Sequence, residues 1–86
     1  QCARVAVMAH DGMARALRPA HAPMDGDVVF AAATGRNSAP VSARDLAEIG
    51  MLAGDCLARA IARGVYEATA LPFPGALPAW KDRFGR

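Results

Sequence analysis

The sequence predicts an α/β chain in which two amphipathic helices flank one buried strand and an extended Pro-rich tail follows. Three observations carry that reading. Apolar residues recur at three- and four-residue spacing over 1–18 and again over 42–69, the period of one helix face. Between them, residues 28–34 form a short apolar run without alternation, as in a strand covered on both faces. From Leu71 onward, Pro72, Pro74 and Pro78 remove backbone donors and forbid a continuous helix. With 86 residues there is room for one small domain, spanning 1–86.

In the first helix, residues 1–18, the stripe is Val5, Met8, Ala9, Gly12, Met13, Ala16 and Leu17. Arg4, Asp11, Arg15 and Arg18 lie opposite, and His10 sits at the boundary. Pro19 ends the helix, because the residue before a proline is pushed out of helical geometry. Residues 19–27 form a loop punctuated by Pro19, Pro23 and Gly26. Val28, Val29 and Phe30 favour a strand over 28–34, while Ala31–Ala33 leave a short helix as the competing conformation. Gly35–Ser38 reads as a turn.

The second helix, 42–69, starts at Ser42, with Asp45 three residues on in a capping arrangement. Gly50, Ala53, Gly54 and Ala60 would let another backbone approach its apolar stripe. Arg59 and Arg63 sit toward the C-terminal half, where the helix dipole favours positive charge. In the extended tail, 71–86, Phe73, Leu77 and Trp80 are placed to pin it onto a neighbouring surface, and Lys81–Arg86 are expected to be solvated. A lone buried strand leaves backbone donors and acceptors unpaired on both edges. The expectation is a sheet completed by residues outside this chain or by another copy.

Apolar residues make up 53% of the chain, but much of that is alanine, which buries little area, so the core is thin. A net charge of +2 with arginines spread over both helices, the turn and the tail argues against a nucleic-acid partner. No apolar run approaches the roughly 18 residues of a membrane span. The chain starts at Gln1 without a secretory pattern, which predicts a C-terminal piece of something larger. Cys2 and Cys56 do not make a disulfide framework, so they read as small buried hydrophobes and the cytoplasm is the expected compartment.

The chemistry-bearing segment is His21-Ala22-Pro23-Met24-Asp25-Gly26-Asp27. Carboxylates two residues apart can orient a hydroxyl or amine nucleophile, hold a cation or share a proton. They can equally be turn residues bonding their own backbone. The further oxygen ligands of a calcium loop are missing. His10 and His21, the only histidines, have no ligand set at zinc spacing, so no metal and no cofactor are expected. His10 reads as a helix-edge group and His21 as a support of the acidic loop. Ser38 and Ser42 fit a turn and a helix start, and no Gly-x-Ser-x-Gly elbow is present.

Met8-Ala9-His10-Asp11-Gly12-Met13-Ala14-Arg15-Ala16-Leu17-Arg18-Pro19, followed by His21 through Gly35, resembles the C-terminal part of the L-aminopeptidase/D-esterase and nylon-oligomer hydrolase family. The resemblance runs on to Leu77-Pro78-Ala79-Trp80. It implies a fragment of an αββα sandwich, in a precursor that cleaves itself before a Ser or Thr which then attacks amide bonds. That nucleophile would lie shortly upstream of Gln1. Asp25 and Asp27 match the acidic pair beside it, with the role of holding and polarising its hydroxyl or amino group. The resemblance further implies a large subunit as partner, a homo-oligomer, and a peptide or amide-oligomer substrate. Ala22 stands where many relatives have Thr, and Met24 where Phe is usual. Lys81, the only lysine, is not a catalytic candidate, and this chain alone is expected to be inactive. Two rival readings are a non-catalytic helical assembly module and a cation site at Asp25 and Asp27.

Overall fold

The computed structural model describes residues 1–37 and 39–85. Ser38, the end of the predicted turn, and Arg86, the end of the tail, lie outside the described residues. Among the described residues three helices form: α1 (Cys2–Ala16), α2 (Ala43–Glu67) and α3 (Trp80–Phe84).

α1 ends just before Pro19, with Leu17 already extended and its N–H donating to the Met13 carbonyl at 2.8 Å. α2 begins at a complete capping box. The Ser42 hydroxyl accepts from the Asp45 N–H at 3.0 Å, and the Asp45 carboxylate accepts from the Ser42 N–H at 3.2 Å. Two of the otherwise orphaned donors at the helix start are satisfied in this way.

The helices meet through glycine. A Cβ on Gly12 would fall on the carbonyl oxygen of Gly54, and would lie only 3.0 Å from its Cα. Gly50 faces the Met8 side chain just as closely. Glycine inside a helix costs about 1 kcal/mol relative to alanine; what is gained is backbone contact at Gly12 and a seat for the Met8 side chain at Gly50. Arg4 and Met8 lie beside Ala43, Leu46 and Ala47. Gly12 meets Gly54, and Ala16 reaches Ile61 and Val65. The numbers rise together along both helices, so α1 and α2 run in the same direction. Arg15 and Asp55 close the crossing with a 2.7 Å ion pair. Both groups are about half exposed, so solvent screening limits the pair to roughly 0.5 kcal/mol.

Parallel helices need a connection that travels back, and residues 17–42 supply it. Val29, Phe30 and Ala31 lie along Cys2, Ala6 and His10, and Ala31–Ala33 with Val41 reach Gln1 and Val5. The predicted strand over 28–34 is absent here. The described residues hold helices and no strand, so an α/β chain built as a fragment of an αββα sandwich is not what the structure shows. The physical reason is the one that made the strand problematic. No second strand is present to share a ladder, so the segment leans on α1 from one side only. Val29 and Ala31 are half-buried, whereas Phe30 is 87% exposed.

The tail also departs from a fully extended form. The prolines keep 71–79 irregular, with a turn at Gly75 (φ 84°) closed by the Ala76 N–H on the Phe73 carbonyl. Beyond Pro78 the helical bonds become available and α3 forms. The Asp82 carboxylate accepts from the Ala79 N–H at 2.9 Å, and Gly85 at φ 73° terminates the helix. Trp80 stacks 5.7 Å from Tyr66 and 5.1 Å from Phe84. Lys81, expected in solvent, donates to Glu67 at 3.3 Å and lies over the Tyr66 ring. The tail is thereby folded back on the C-terminal half of α2.

Among the described residues, Ala9 and Met13 are the only buried apolar side chains. The accessible surface is 7114 Å², against about 4,800 Å² expected for a folded monomer of this mass. The radius of gyration is 16.7 Å, where a compact domain of this length has about 12 Å. The excess surface is apolar in large part, with Ile49, Met51, Leu52, Val65, Phe73 and Leu77 all exposed.

The crossing makes a two-signed prediction. Gly12→Ala in the full-length protein should lower its unfolding free energy by about 2 kcal/mol, because the methyl group meets rigid backbone. Gly64→Ala, with nothing within 4 Å of its would-be Cβ, should raise it by about 0.5 kcal/mol. Urea denaturation of both variants reads the two signs. A neutral Gly12→Ala would mean that the helices do not touch there.

Candidate functional site

The acidic loop is positioned by the C-terminal half of α1. His10, half-buried on α1, places its Nδ1 3.1 Å from Nε2 of His21, with ring centroids 4.8 Å apart. One ring donates in this bond and the other accepts, so at least one of the two is a neutral imidazole. His21 takes a left-handed backbone, φ 57°, in which a side chain other than glycine costs on the order of 1 kcal/mol. In that conformation its ring meets α1 while its N–H points along the loop and donates to Oδ2 of Asp27 at 3.4 Å.

A turn separates the two ends of this span. Asp25 N–H donates to the Ala22 carbonyl at 3.0 Å, closing a four-residue turn over Pro23 and Met24. Pro23 fixes its own φ, and Met24 carries φ 69° at the position where such turns favour glycine or asparagine. The Met24 side chain is fully exposed and contributes nothing to holding the turn.

The two sequence-predicted site residues therefore differ. Asp27 is half-buried and tied to the His21 backbone, whereas the Asp25 side chain is exposed. Its backbone N–H, not its carboxylate, takes part in the turn. The arrangement presents one anchored carboxylate and one free one on the same loop. It can accept protons or hydrogen bonds from a hydroxyl or ammonium group brought to it. Among the described residues, no group of three or more His, Cys, Asp or Glu is arranged to hold a metal ion. The pairing of His10 with His21 is the feature that the sequence reading missed. Its signal was present in outline, since His10 borders the apolar stripe and Pro19 turns the chain back toward it.

A profile of peptidase family S58 matches residues 1–76, from the start of α1 past the end of α2 and across the whole acidic loop. The chain belongs to that family. It is 44% identical, over 96% of its length, to an uncharacterized aminopeptidase of Mycobacterium bovis and to one of Mycobacterium tuberculosis. An uncharacterized aminopeptidase of Mycobacterium leprae is 42% identical over 87% of the chain. The chain spans only 26% of the length of each of these relatives. No solved structure matches it. No helix among the described residues is long and apolar enough to cross a membrane.

The strained turn gives a direct test. Met24→Asn should stabilise the full-length protein by up to about 1 kcal/mol, since asparagine tolerates the left-handed backbone better. Thermal unfolding measures it. A loss of stability instead would show that the Met24 side chain is covered in the whole protein.

Proposed function

We propose that this chain is the C-terminal part of a self-processing hydrolase that cleaves peptides or amide oligomers. The observation that carries the reading is the family match across 1–76, which takes in the loop bearing Asp25 and Asp27. The names of the relatives, all aminopeptidases, support the peptidase direction. In this reading a Thr or Ser lies upstream of Gln1 and becomes an N-terminal residue when the precursor cuts itself. Its hydroxyl oxygen attacks the substrate carbonyl carbon. The C–N bond breaks, the amine leaves with a proton, and water hydrolyses the resulting ester. Asp27, held by the His21 N–H, orients the hydroxyl or amino group of that residue. Asp25 adds a second acceptor on the open side of the loop. No cofactor takes part, and the compartment is the cytoplasm.

The partner in this reading is the remainder of the precursor, or the large subunit cut from it. The surplus of about 2,300 Å² over a closed monomer of this mass is on the scale of a permanent interface rather than a transient one. Exposed apolar residues along α2 and the tail supply the chemistry for it. Assembly of several such pairs into a homo-oligomer completes the proposal.

The test uses the full-length protein and an aminoacyl p-nitroanilide. Asp27→Ala should reduce self-cleavage and turnover by on the order of 10²-fold or more, the usual scale for a group that handles the reacting proton. Asp25→Ala should also reduce both, by a smaller factor, since its carboxylate has no anchor. The isolated 86-residue chain should show no turnover. Near-normal rates in both aspartate variants would reject the assigned roles.

A further inference from the structure

We propose that His10 and His21 are positioning residues that act as one unit, a strut carrying the fixed geometry of α1 to the carboxylate of Asp27. The inference rests on the reading of Asp27 given above and extends it to two side chains that the proposed mechanism does not use.

The argument starts from the loop. Asp27 sits between a six-residue span beginning at His21 and the unpaired segment that follows, neither of which has regular structure. Gly26 immediately precedes it, and nothing lies within 4 Å of where a Gly26 side chain would start. A carboxylate so placed has no rigid element of its own. The one side-chain bond fixing it comes from the His21 N–H at 3.4 Å. That N–H is in turn aimed by a left-handed backbone at His21. The structure gives one contact that holds His21 in this unfavourable conformation, the 3.1 Å bond from its ring to His10. His10 stands on α1 two residues before Gly12, whose backbone packs directly against Gly54. Helix, imidazole pair, backbone N–H and carboxylate thus form an unbroken chain of contacts. A group that must be placed within about half an ångström for catalysis needs such a support.

Neither histidine touches the reacting atoms in this proposal, so their removal misplaces Asp27 without deleting it. In the full-length protein, His10→Phe keeps the ring volume and loses the hydrogen bond. It should lower kcat about tenfold and leave KM within about twofold. His10→Asn, whose side-chain amide reproduces the Nδ1 position, should recover most of that loss. The double variant His10→Phe/His21→Phe should cost no more than the more damaging single one, because a broken strut cannot be broken twice. Losses that multiply in the double variant, or a His10→Phe enzyme within twofold of the parent, would overturn the proposal. Should His10→Phe not fold, His21→Gly decides. It keeps the N–H and accepts the left-handed backbone, and it should lose kcat because nothing ties it to α1. An unchanged kcat there would also overturn the strut. Asp27→Ala separates this failure from that of the function itself. If that variant collapses while the histidine variants stay active, the strut is wrong and the hydrolase reading stands. If it retains activity, the hydrolase reading is what fails.

Discussion

The backbone contact between Gly12 and Gly54 is the constraint on which the rest depends. It sets the separation of α1 and α2 below what any other residue at position 12 would allow. Met13 and Ala9 are buried because the crossing brings their faces together. The Arg15–Asp55 pair and the docking of Met8 over Gly50 follow from the same approach. Close approach of this kind gains dispersion energy along the contact, where each atom pair adds only ~0.1 kcal/mol but many act together. It is also intolerant, since rigid backbone cannot move aside as a side chain would.

From that crossing the acidic loop inherits its position. His10 lies on the side of α1 that faces the returning chain, and through His21 the loop is referenced to the packed helix pair rather than to its own irregular backbone. The two carboxylates consequently have different mechanical status although they are two residues apart. A symmetric view of the Asp-Gly-Asp string would miss this. Spacing alone describes which charges are neighbours, and the hydrogen bonds describe which of them is held.

Much of the helical framework was legible in the sequence because its causes are local. The three- and four-residue periodicity locates α1 and α2, Ser42 and Asp45 make the cap, and the small residues at Gly50 and Gly54 announce a close approach. The strand over 28–34 was misread because a strand is not a local object. Val28, Val29 and Phe30 carry the propensity, but without a neighbour the ladder has nothing to bond to, and the segment settles one-sidedly against α1. α3 was missed for the opposite reason. Three prolines set the character of the whole tail, yet their reach ends at Pro78, and the Asp82 carboxylate and Gly85 then suffice for a single helical turn. At the site, the acidic pair was legible as a string, whereas the imidazole pair depends on a chain reversal that no spacing rule encodes.

The shared direction of α1 and α2 has a consequence for how the molecule comes to exist. Antiparallel neighbours can zip together from a short bend, each new contact following the last. Here residues 17–42 must first traverse the whole length of α1 before the two glycines can meet. Loop closure of that span precedes any reward from the crossing, which places assembly of the pair late in folding. During synthesis α1 leaves the ribosome ahead of α2 and waits, its Gly12 without the Gly54 backbone, until the chain has come back around to bring α2 alongside.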